Sequence, residues 1–354
     1  MDSENKKNLQ SDTWRLEQLG RSTSSEKHPI RKFATGNYQC LHEEPVSRGI
    51  DIRKRFIEFH EAHYSANRMK LVVLGREALQ DLQSWVQELF SDVPNKNLHR
   101  LRWDNIPVLN ESELMTQIFV KPVTEQRQLN IDFTYPDEEE LVDSHPSQYL
   151  AHLIGHEGPG SALAYLKELG LAVSLSAGAS ALCPGTALFC IDVMLTEKGV
   201  RQYRDVLKVV FQYIAMLKEN PPSAWISDEM SRLAEVDFKF RQKSPPSRTV
   251  SDLAQHMQNA CIPREHLLSP FLIRKFDPES IQSGLSHLLP DNFRFFLVDQ
   301  QFPGNWDAKE KWYGTEYKLE KIPKDFMKEL WKAAQAPITE RPSILHLPAV
   351  NEFI

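Results

Sequence analysis

The segment that most constrains the fold lies near the middle of the chain, where a Gly-Pro-Gly turn separates two predicted helices. Four apolar residues recur at helical spacing before the turn: Tyr149, Leu150, Leu153 and Ile154. The run Gly158-Pro159-Gly160 then ends the first helix, because proline fixes φ and glycine allows conformations closed to other residues. Residues 173–178 follow the second helix and alternate with period two, which predicts a strand. A turn with polar side chains beside a strand is a candidate binding site.

Two histidine pairs raise the question of a metal site. His152 and His156 lie four residues apart, so an unbroken helix would present both on one face, with Glu157 beside them. Glycines interrupt that helix, however, and no further ligand follows at useful spacing. The alternative is that these histidines cap helices or line the edge of a core. His60 and His63 are three residues apart, and such pairs are more typical of a solvated helix face.

Three segments together resemble the insulysin-like branch of the pitrilysin family of inverted-motif zinc metallopeptidases, its fungal members in particular. The first is His-Leu-Ile-Gly-His-Glu-Gly-Pro-Gly-Ser at 152–161, and the others lie at 64–75 and 312–317. They occur in the family's order, and the resemblance extends over nearly all 354 residues. It implies an α+β fold built from repeated α/β domains, with a mixed sheet covered by helices mainly on one face.

The resemblance also implies a peptide-binding exosite in the central segment. In the family, the corresponding residues hold the N-terminal end of a peptide substrate at a distance from the zinc. Five residues of this chain correspond to that exosite: His152, Gly155, Glu157, Leu175 and Ala177. Two positions depart from the family pattern, because Gln148 stands in place of a histidine and Ala177 in place of a glycine. A contact through the backbone of Ala177 would tolerate its methyl group.

The family's zinc chemistry depends on residues that are mostly missing from the sequence. The inverted His-x-x-Glu-His motif supplies two ligands and the base, and a further glutamate completes the site. The sequence contains no such motif. The residues around Glu4, with Trp14 following, resemble the family's segment at the third zinc ligand. The resemblance therefore implies that Glu4 is a zinc ligand, and it assigns no catalytic residue to this chain. Read alone, Glu4 would favour the positive end of a helix dipole, and one carboxylate does not hold a catalytic zinc.

The order of elements divides the chain into three expected parts. Residues 1–100 are expected to be the C-terminal part of a first, zinc-bearing domain that is incomplete. Residues 101–331 are expected to form a second, complete domain that carries the exosite. Residues 332–354 are expected to begin an interdomain linker, so we expect the chain to be an internal piece of a longer enzyme.

Periodicity and turn residues place the individual elements. Helices are predicted over 4–20, 50–63, 77–90, about 148–154 and 161–169, with three or four more over 197–289. Strands are predicted over 69–75, 117–123, 127–136, 173–178, 187–195 and 292–299.

Composition and charge exclude two classes of partner. Lysine and arginine number 42 against 48 acidic residues, so there is no basic footprint for nucleic acid. No apolar run approaches the roughly twenty residues that span a bilayer, and the N-terminal residues lack the apolar core of a secretory signal. Four widely spaced cysteines predict free thiols in a reducing compartment: Cys40, Cys183, Cys190 and Cys261. We therefore expect a cytoplasmic or mitochondrial protein.

Three functions remain open at this stage. The first is a zinc metalloendopeptidase of the insulysin type that degrades short peptides, with this chain inactive by itself. The second is a non-catalytic peptide-binding module built on the exosite. The third is a structural subunit of a pitrilysin-like complex. The expected cofactor is zinc, and the expected partners are peptides together with either the family's missing halves or a second copy of the chain.

Overall fold

Five α-helices precede the first strand in the computed structural model, which describes residues 1–353; Ile354, the end of the expected linker, lies outside the described residues. The helices are α1 (Asp2–Asn8), α2 (Asp12–Ser22), α3 (Glu44–Ser47), α4 (Ile52–His63), α5 (Leu79–Phe90), α6 (Pro146–Ile154), α7 (Ala162–Glu168), α8 (Glu197–Arg201), α9 (Tyr203–Glu219), α10 (Ala224–Phe240), α11 (Pro246–His256), α12 (Pro278–Ser286) and α13 (Lys324–Ala334). The strands are β1 (Thr116–Val120), β2 (Gln128–Tyr135), β3 (Ala172–Cys183), β4 (Thr186–Leu195), β5 (Phe293–Val298), β6 (Ala308–Lys309) and β7 (Glu316–Lys321).

One mixed sheet contains all of these strands, in the order β3-β4-β2-β5-β1-β7-β6. Strands β1 and β5 run parallel, and the other neighbours run antiparallel. Strand β3 therefore lies at one edge of the sheet and β6 at the other. This arrangement confirms the expected α+β fold with a mixed sheet.

Most of the apolar core lies on one face of the sheet. Alternate residues of β2 are completely buried there, among them Leu129, Ile131 and Phe133, because the period of a strand directs every second side chain to the same face. Residues of α6, α7, α9, α12 and α13 pack in the same core. The opposite face carries a much smaller cluster, in which Leu19 of α2 contacts β1 and β5. The expectation of helices mainly on one face is thus confirmed.

Polar contacts hold helix α2 on the smaller face. The carboxylate of Asp12 accepts hydrogen bonds from the backbone N–H groups of Val123 and Thr124, at 2.7 and 2.8 Å. Arg294 of β5 has 2% of its surface exposed and donates to the carbonyl oxygens of Gly20 and Thr23, each at 3.1 Å. The end of α2 and the sheet are therefore joined by a buried guanidinium.

The strand predicted over 69–75 is wrong. These residues have no hydrogen-bonded strand partner in the described part of the chain, and the apolar side chains of Met69, Leu71 and Val73 are exposed. A strand needs a neighbour to satisfy its backbone groups, and the seven-stranded sheet is completed without this segment. The neighbouring helices were predicted correctly, as α4 and α5.

Two other element predictions need correction, and further elements were not predicted. The helix predicted over 4–20 is two helices, α1 and α2, and the side chain of Arg15 donates to the carbonyl of Leu9 at the break between them. The region 197–289 holds five α-helices, α8 to α12, rather than three or four. Strand β7 and helix α13 were not predicted, although Phe326, Leu330 and Ala333 of α13 follow a helical spacing and are buried.

Candidate peptide-binding site

Strand β3 presents an open backbone edge. It pairs with β4 through a register that sets Leu175 opposite Val193 and Ala177 opposite Ile191, and within residues 1–353 it has no partner on its other side. An exposed edge has unpaired N–H and C=O groups that can bind a further strand. The strand predicted over 173–178 is thus confirmed and extends farther, to Cys183.

The end of helix α6 lies against this strand at Gly155. Its N–H donates to the carbonyl oxygen of Ala151 at 2.8 Å, which closes the last turn. A Cβ atom at Gly155 would stand 2.8 Å from that same oxygen and 3.6 Å from the backbone nitrogen of Ala177. Two residues that the sequence placed in one site from separate segments, Gly155 and Ala177, therefore lie together.

The other predicted site residues lie near the contact between Gly155 and Ala177 and differ in how exposed they are. Leu175 has 4% of its surface exposed and packs in the core, so it holds the strand rather than facing solvent. The rings of His152 and His156 lie 6.2 Å apart. Burial lowers the pKa of His152, and the neighbouring His156 lowers it further. The carboxylate of Glu157 is 67% exposed at the rim and lies 3.7 Å from the ammonium of Lys167.

The sequence did not reveal that the C-terminal residues return to this loop. We call residues 342–351 the C-terminal strap. The N–H of His346 donates to the carbonyl of Gly160 at 3.1 Å, and the N–H of Asn351 donates to the carboxylate of Glu229 at 3.2 Å. A cavity of about 370 Å³ lies between the strap, the loop and α10, with Trp225 in its wall. The strap therefore packs against the loop that carries His156 and Gly160.

The residues considered for metal binding do not meet. The side chain of Glu4 is 80% exposed, and its ion-pair partner is the N-terminal ammonium of Met1 at 3.4 Å. Across residues 1–353, no three His, Cys, Asp or Glu side chains are grouped to hold a metal ion. The described residues do not fit a catalytic zinc site, and the assignment of Glu4 remains a prediction. His60 and His63 contact Tyr64 and Phe59 instead, on an exposed helix.

No helix within residues 1–353 combines the length and apolar character needed to cross a bilayer.

Two family profiles match consecutive parts of the chain. The profile described as "Peptidase M16 inactive domain" matches residues 51–232. The profile described as "Middle or third domain of peptidase_M16" matches residues 238–354.

Similar proteins include known peptide-processing enzymes. The A-factor-processing enzyme of Saccharomyces cerevisiae is 42% identical over 354 residues, and the insulin-degrading enzyme of Homo sapiens is 39% identical over 355 residues. Each alignment covers the whole of this chain and 34% of the relative. The chain thus spans about a third of the length of these relatives.

Solved structures show the same fold. The crystal structure of pitrilysin superposes with a TM-score of 0.90 at 24% identity, over 100% of this chain and 36% of that one. The first half of the periplasmic protease PqqL from Escherichia coli gives a TM-score of 0.63 at 14% identity, over 95% of this chain and 69% of that one.

Proposed function

This chain belongs to the M16 family of peptidases, and from that premise we propose that it supplies the peptide-anchoring region of an insulysin-type zinc metalloendopeptidase. The observation that carries the proposal is the open edge of β3 beside the C-terminal end of α6. An extended peptide adds to such an edge through backbone hydrogen bonds. Because these bonds do not involve side chains, the site accepts many sequences.

The N-terminal ammonium of the peptide is held at the end of α6. The C-terminal end of a helix carries partial negative charge, which favours a cation there. Glu157 adds a full negative charge, and its present partner is the exposed Lys167 at 3.7 Å. Exposed pairs of this kind contribute little, so the peptide's ammonium can take the place of Lys167. A charge-assisted contact of this type stabilises a complex by about 1.5 to 3 kcal/mol.

Calorimetric titration of one peptide in free and N-acetylated forms tests this anchoring. We expect acetylation to weaken binding to the wild-type protein, because it removes the ammonium charge. In Glu157→Gln the two forms should bind with nearly equal affinity. Glu168→Gln is the matched control, since Glu168 is an exposed glutamate of α7. Equal affinities for both peptides with all three proteins would rule out the anchoring role.

For the proposed enzyme to be active, a further polypeptide must supply the remaining zinc ligands and the catalytic base. The exposed apolar surface of residues 52–90 supports such a partner. Its exposed side chains include Phe56, Phe59, Leu74, Trp85 and Leu89. Large exposed apolar patches on soluble proteins mark interaction sites. The partner we propose is the missing part of the enzyme, and a second copy of the chain is the competing partner.

A non-catalytic peptide-binding module is the second candidate function. It is favoured by the same edge strand together with the exposed position of Glu4, because residues 1–353 contain no group of three candidate ligands that could hold a metal ion. Zinc analysis separates the two candidates. If the chain acts with a partner peptidase region, the assembled complex should retain one zinc ion and Glu4→Gln should weaken its retention. A module without catalysis binds peptide equally well with or without zinc.

We also propose a cytoplasmic location, supported by four cysteines that form no disulfide in the described structure. Cell fractionation with an antibody to the chain tests it, and recovery in the mitochondrial fraction would support the alternative location instead.

A further inference from the structure

The sheet face opposite the main core is only partly covered. Leu175 and Ala177 of β3 face the main core, so Ser174, Ser176 and Gly178 face the other side. Helix α2 covers the part of that face formed by β1 and β5. Between α2 and the strands β2, β3 and β4 lies a cavity of about 420 Å³, which we call the sheet-face cavity. Its polar lining includes Asn130, Asp132, Ser180, Asp192 and Arg294.

The charges around this cavity do not balance. Arg294 pairs with Asp132 at 3.2 Å, and Arg21 pairs with Glu17 at 3.0 Å. Asp192 has no cationic partner within the described chain, and its carboxylate accepts a hydrogen bond from the amide of Asn130. One carboxylate therefore remains uncompensated by a positive charge.

A second observation points to a ligand that donates hydrogen bonds. The side-chain oxygen Oδ1 of Asn130 is buried and has no donor in the described residues. Burial also raises the pKa of Asp192, and the neighbouring Asp132 raises it further, as expected for a carboxylate without a cation. A cationic group with several N–H donors would satisfy the charge of Asp192.

The cavity reaches the edge strand where the proposed peptide pairs, because Ser180, Ala181 and Leu182 of β3 line it. Gly178 lies opposite Cys190, and a Cβ atom at Gly178 would meet nothing within 4 Å. Ser176 of β3 lies directly opposite Asp192 of β4, and Gly178 follows it on the same face without a side chain, so only small groups separate the edge of β3 from that carboxylate. Neighbouring strands are about 4.8 Å apart, so a peptide added to β3 is roughly 10 Å from β4. The long flexible stems of lysine and arginine suit that span, with the charged group at the far end.

We propose that the sheet-face cavity is a specificity subsite that receives a lysine or arginine side chain from the peptide bound along β3. The inference rests on the proposed function, because it needs the peptide strand at that edge. Successive side chains of a strand alternate between its two faces, so only every second residue of the peptide can reach the cavity. The subsite therefore selects a basic residue at a fixed distance from the peptide's N-terminus.

A peptide series tests the subsite directly. In each member, one position from the second to the sixth carries either lysine or norleucine, which differ in charge and are similar in length. We expect lysine to bind about tenfold or more tightly than norleucine at one position, or at positions two apart, because a charge-assisted contact is lost in the norleucine peptide. At intervening positions the two peptides should bind equally.

Two variants remove the subsite by different means. Asp192→Asn removes the uncompensated charge, and Cys190→Leu, two residues away on the same face of β4, fills the cavity without a change in charge. Both should abolish the preference for lysine, and both should retain the weaker binding of acetylated peptides. Glu168→Gln is the control and should keep the lysine preference. Urea unfolding of each variant verifies that it is folded. If both variants lose the lysine preference, a local structural defect in one of them does not explain the loss.

The outcomes separate this inference from the proposed function. If peptides bind with sensitivity to acetylation but lysine and norleucine are equal at every position, the subsite is refuted and the anchoring role stands. A lysine preference that survives in Asp192→Asn also refutes the subsite. If no peptide binds, or acetylation has no effect, the proposed function fails and the subsite fails with it.

Discussion

The backbone N–H of His346 and the carbonyl oxygen of Gly160 form a hydrogen bond of 3.1 Å that joins the C-terminal strap to the loop of the candidate site. Gly160 has a φ of +84°, a conformation that residues with a Cβ atom rarely adopt. The His346 ring also occupies the place where a Cβ atom of Gly160 would stand. A side chain at this position would therefore strain the backbone and displace the His346 ring of the strap.

Gly160→Ala should destabilise the protein more than Gly170→Ala. Gly170 also has a positive φ, +68°, but a Cβ atom there would meet nothing within 4 Å. The control thus measures backbone strain alone, which we expect to cost about 1 to 2 kcal/mol. At Gly160 the collision with His346 adds to that strain. Urea unfolding measures both free energies, and equal losses would show that the strap contact contributes nothing.

Arg294→Met should lower the free energy of unfolding by about 3 to 5 kcal/mol, because it leaves the Asp132 carboxylate unpaired in a largely buried position. The carbonyl oxygens of Gly20 and Thr23 also lose their donor. Arg21→Met is the control on α2, since its pair with Glu17 is partly exposed and should matter by less than about 1 kcal/mol. Chemical denaturation compares the two variants. Similar small losses of unfolding free energy would show that buried Arg294 does not stabilise the packing of α2 on the sheet.

Stability should fall with decreasing pH below about 6.5, and His28 should contribute to that fall. Burial lowers the pKa of His28, which is 1% exposed and accepts the N–H of Ile30 at Nδ1. A lowered folded pKa means that the unfolded chain binds the proton first as pH drops. The contribution of neutral His28 to stability is therefore fully present above the pKa that this histidine has in the unfolded chain. It is lost as pH falls below that value, at up to about 1.4 kcal/mol per pH unit for one histidine.

The matching experiment for His28 is urea unfolding between pH 7.5 and 5.5. His28→Gln should be less stable at pH 7.5 but should show a shallower decline with acidification, because one titrating group is gone. His63→Gln is the control, since His63 lies on an exposed helix. Identical slopes for wild type and His28→Gln would show that His28 titrates normally.

The purified chain should not hydrolyse a quenched fluorescent peptide, with or without added zinc. The physical reason is that a catalytic zinc takes three protein ligands, and the described residues contain no group of three His, Cys, Asp or Glu side chains that could hold one. A complete member of the family serves as the positive control under the same conditions. EDTA-sensitive cleavage by the chain alone, lost in Glu4→Gln, would contradict this expectation.

Sequence patterns correctly predicted those elements that depend mainly on residues close together in the chain. The alternation in β2 and the turn at Gly158-Pro159-Gly160 follow from side-chain period and backbone restriction, so both could be read directly. The apolar stripe of α13 was equally readable and was overlooked. The wrong strand over 69–75 shows the limit of this approach, because pairing depends on a neighbour rather than on the segment's own residues.

The candidate site shows the same division. Family resemblance placed Gly155 and Ala177 in one site, and the structure brings them together. The edge position of β3 is a property of the strand order, which no local pattern reports. The return of the C-terminal strap to Gly160 and the unbalanced charge at Asp192 likewise arise from contacts between segments far apart in sequence.

An open strand edge also carries a risk of self-association, since it can pair with the same edge of another molecule. Strands that zip together in this way are usually rich in large apolar and β-branched residues. Apart from Val173, the exposed positions of β3 are small: Ser174, Ser176, Ala179, Ser180 and Ala181. Such a surface gives little apolar area to bury between two copies, so a lasting pair at this edge requires an additional attraction. The charged N-terminus of the proposed peptide would provide that attraction, whereas a second copy of β3 has no charged residue to offer, so the edge can stay open without acting as a template for aggregation.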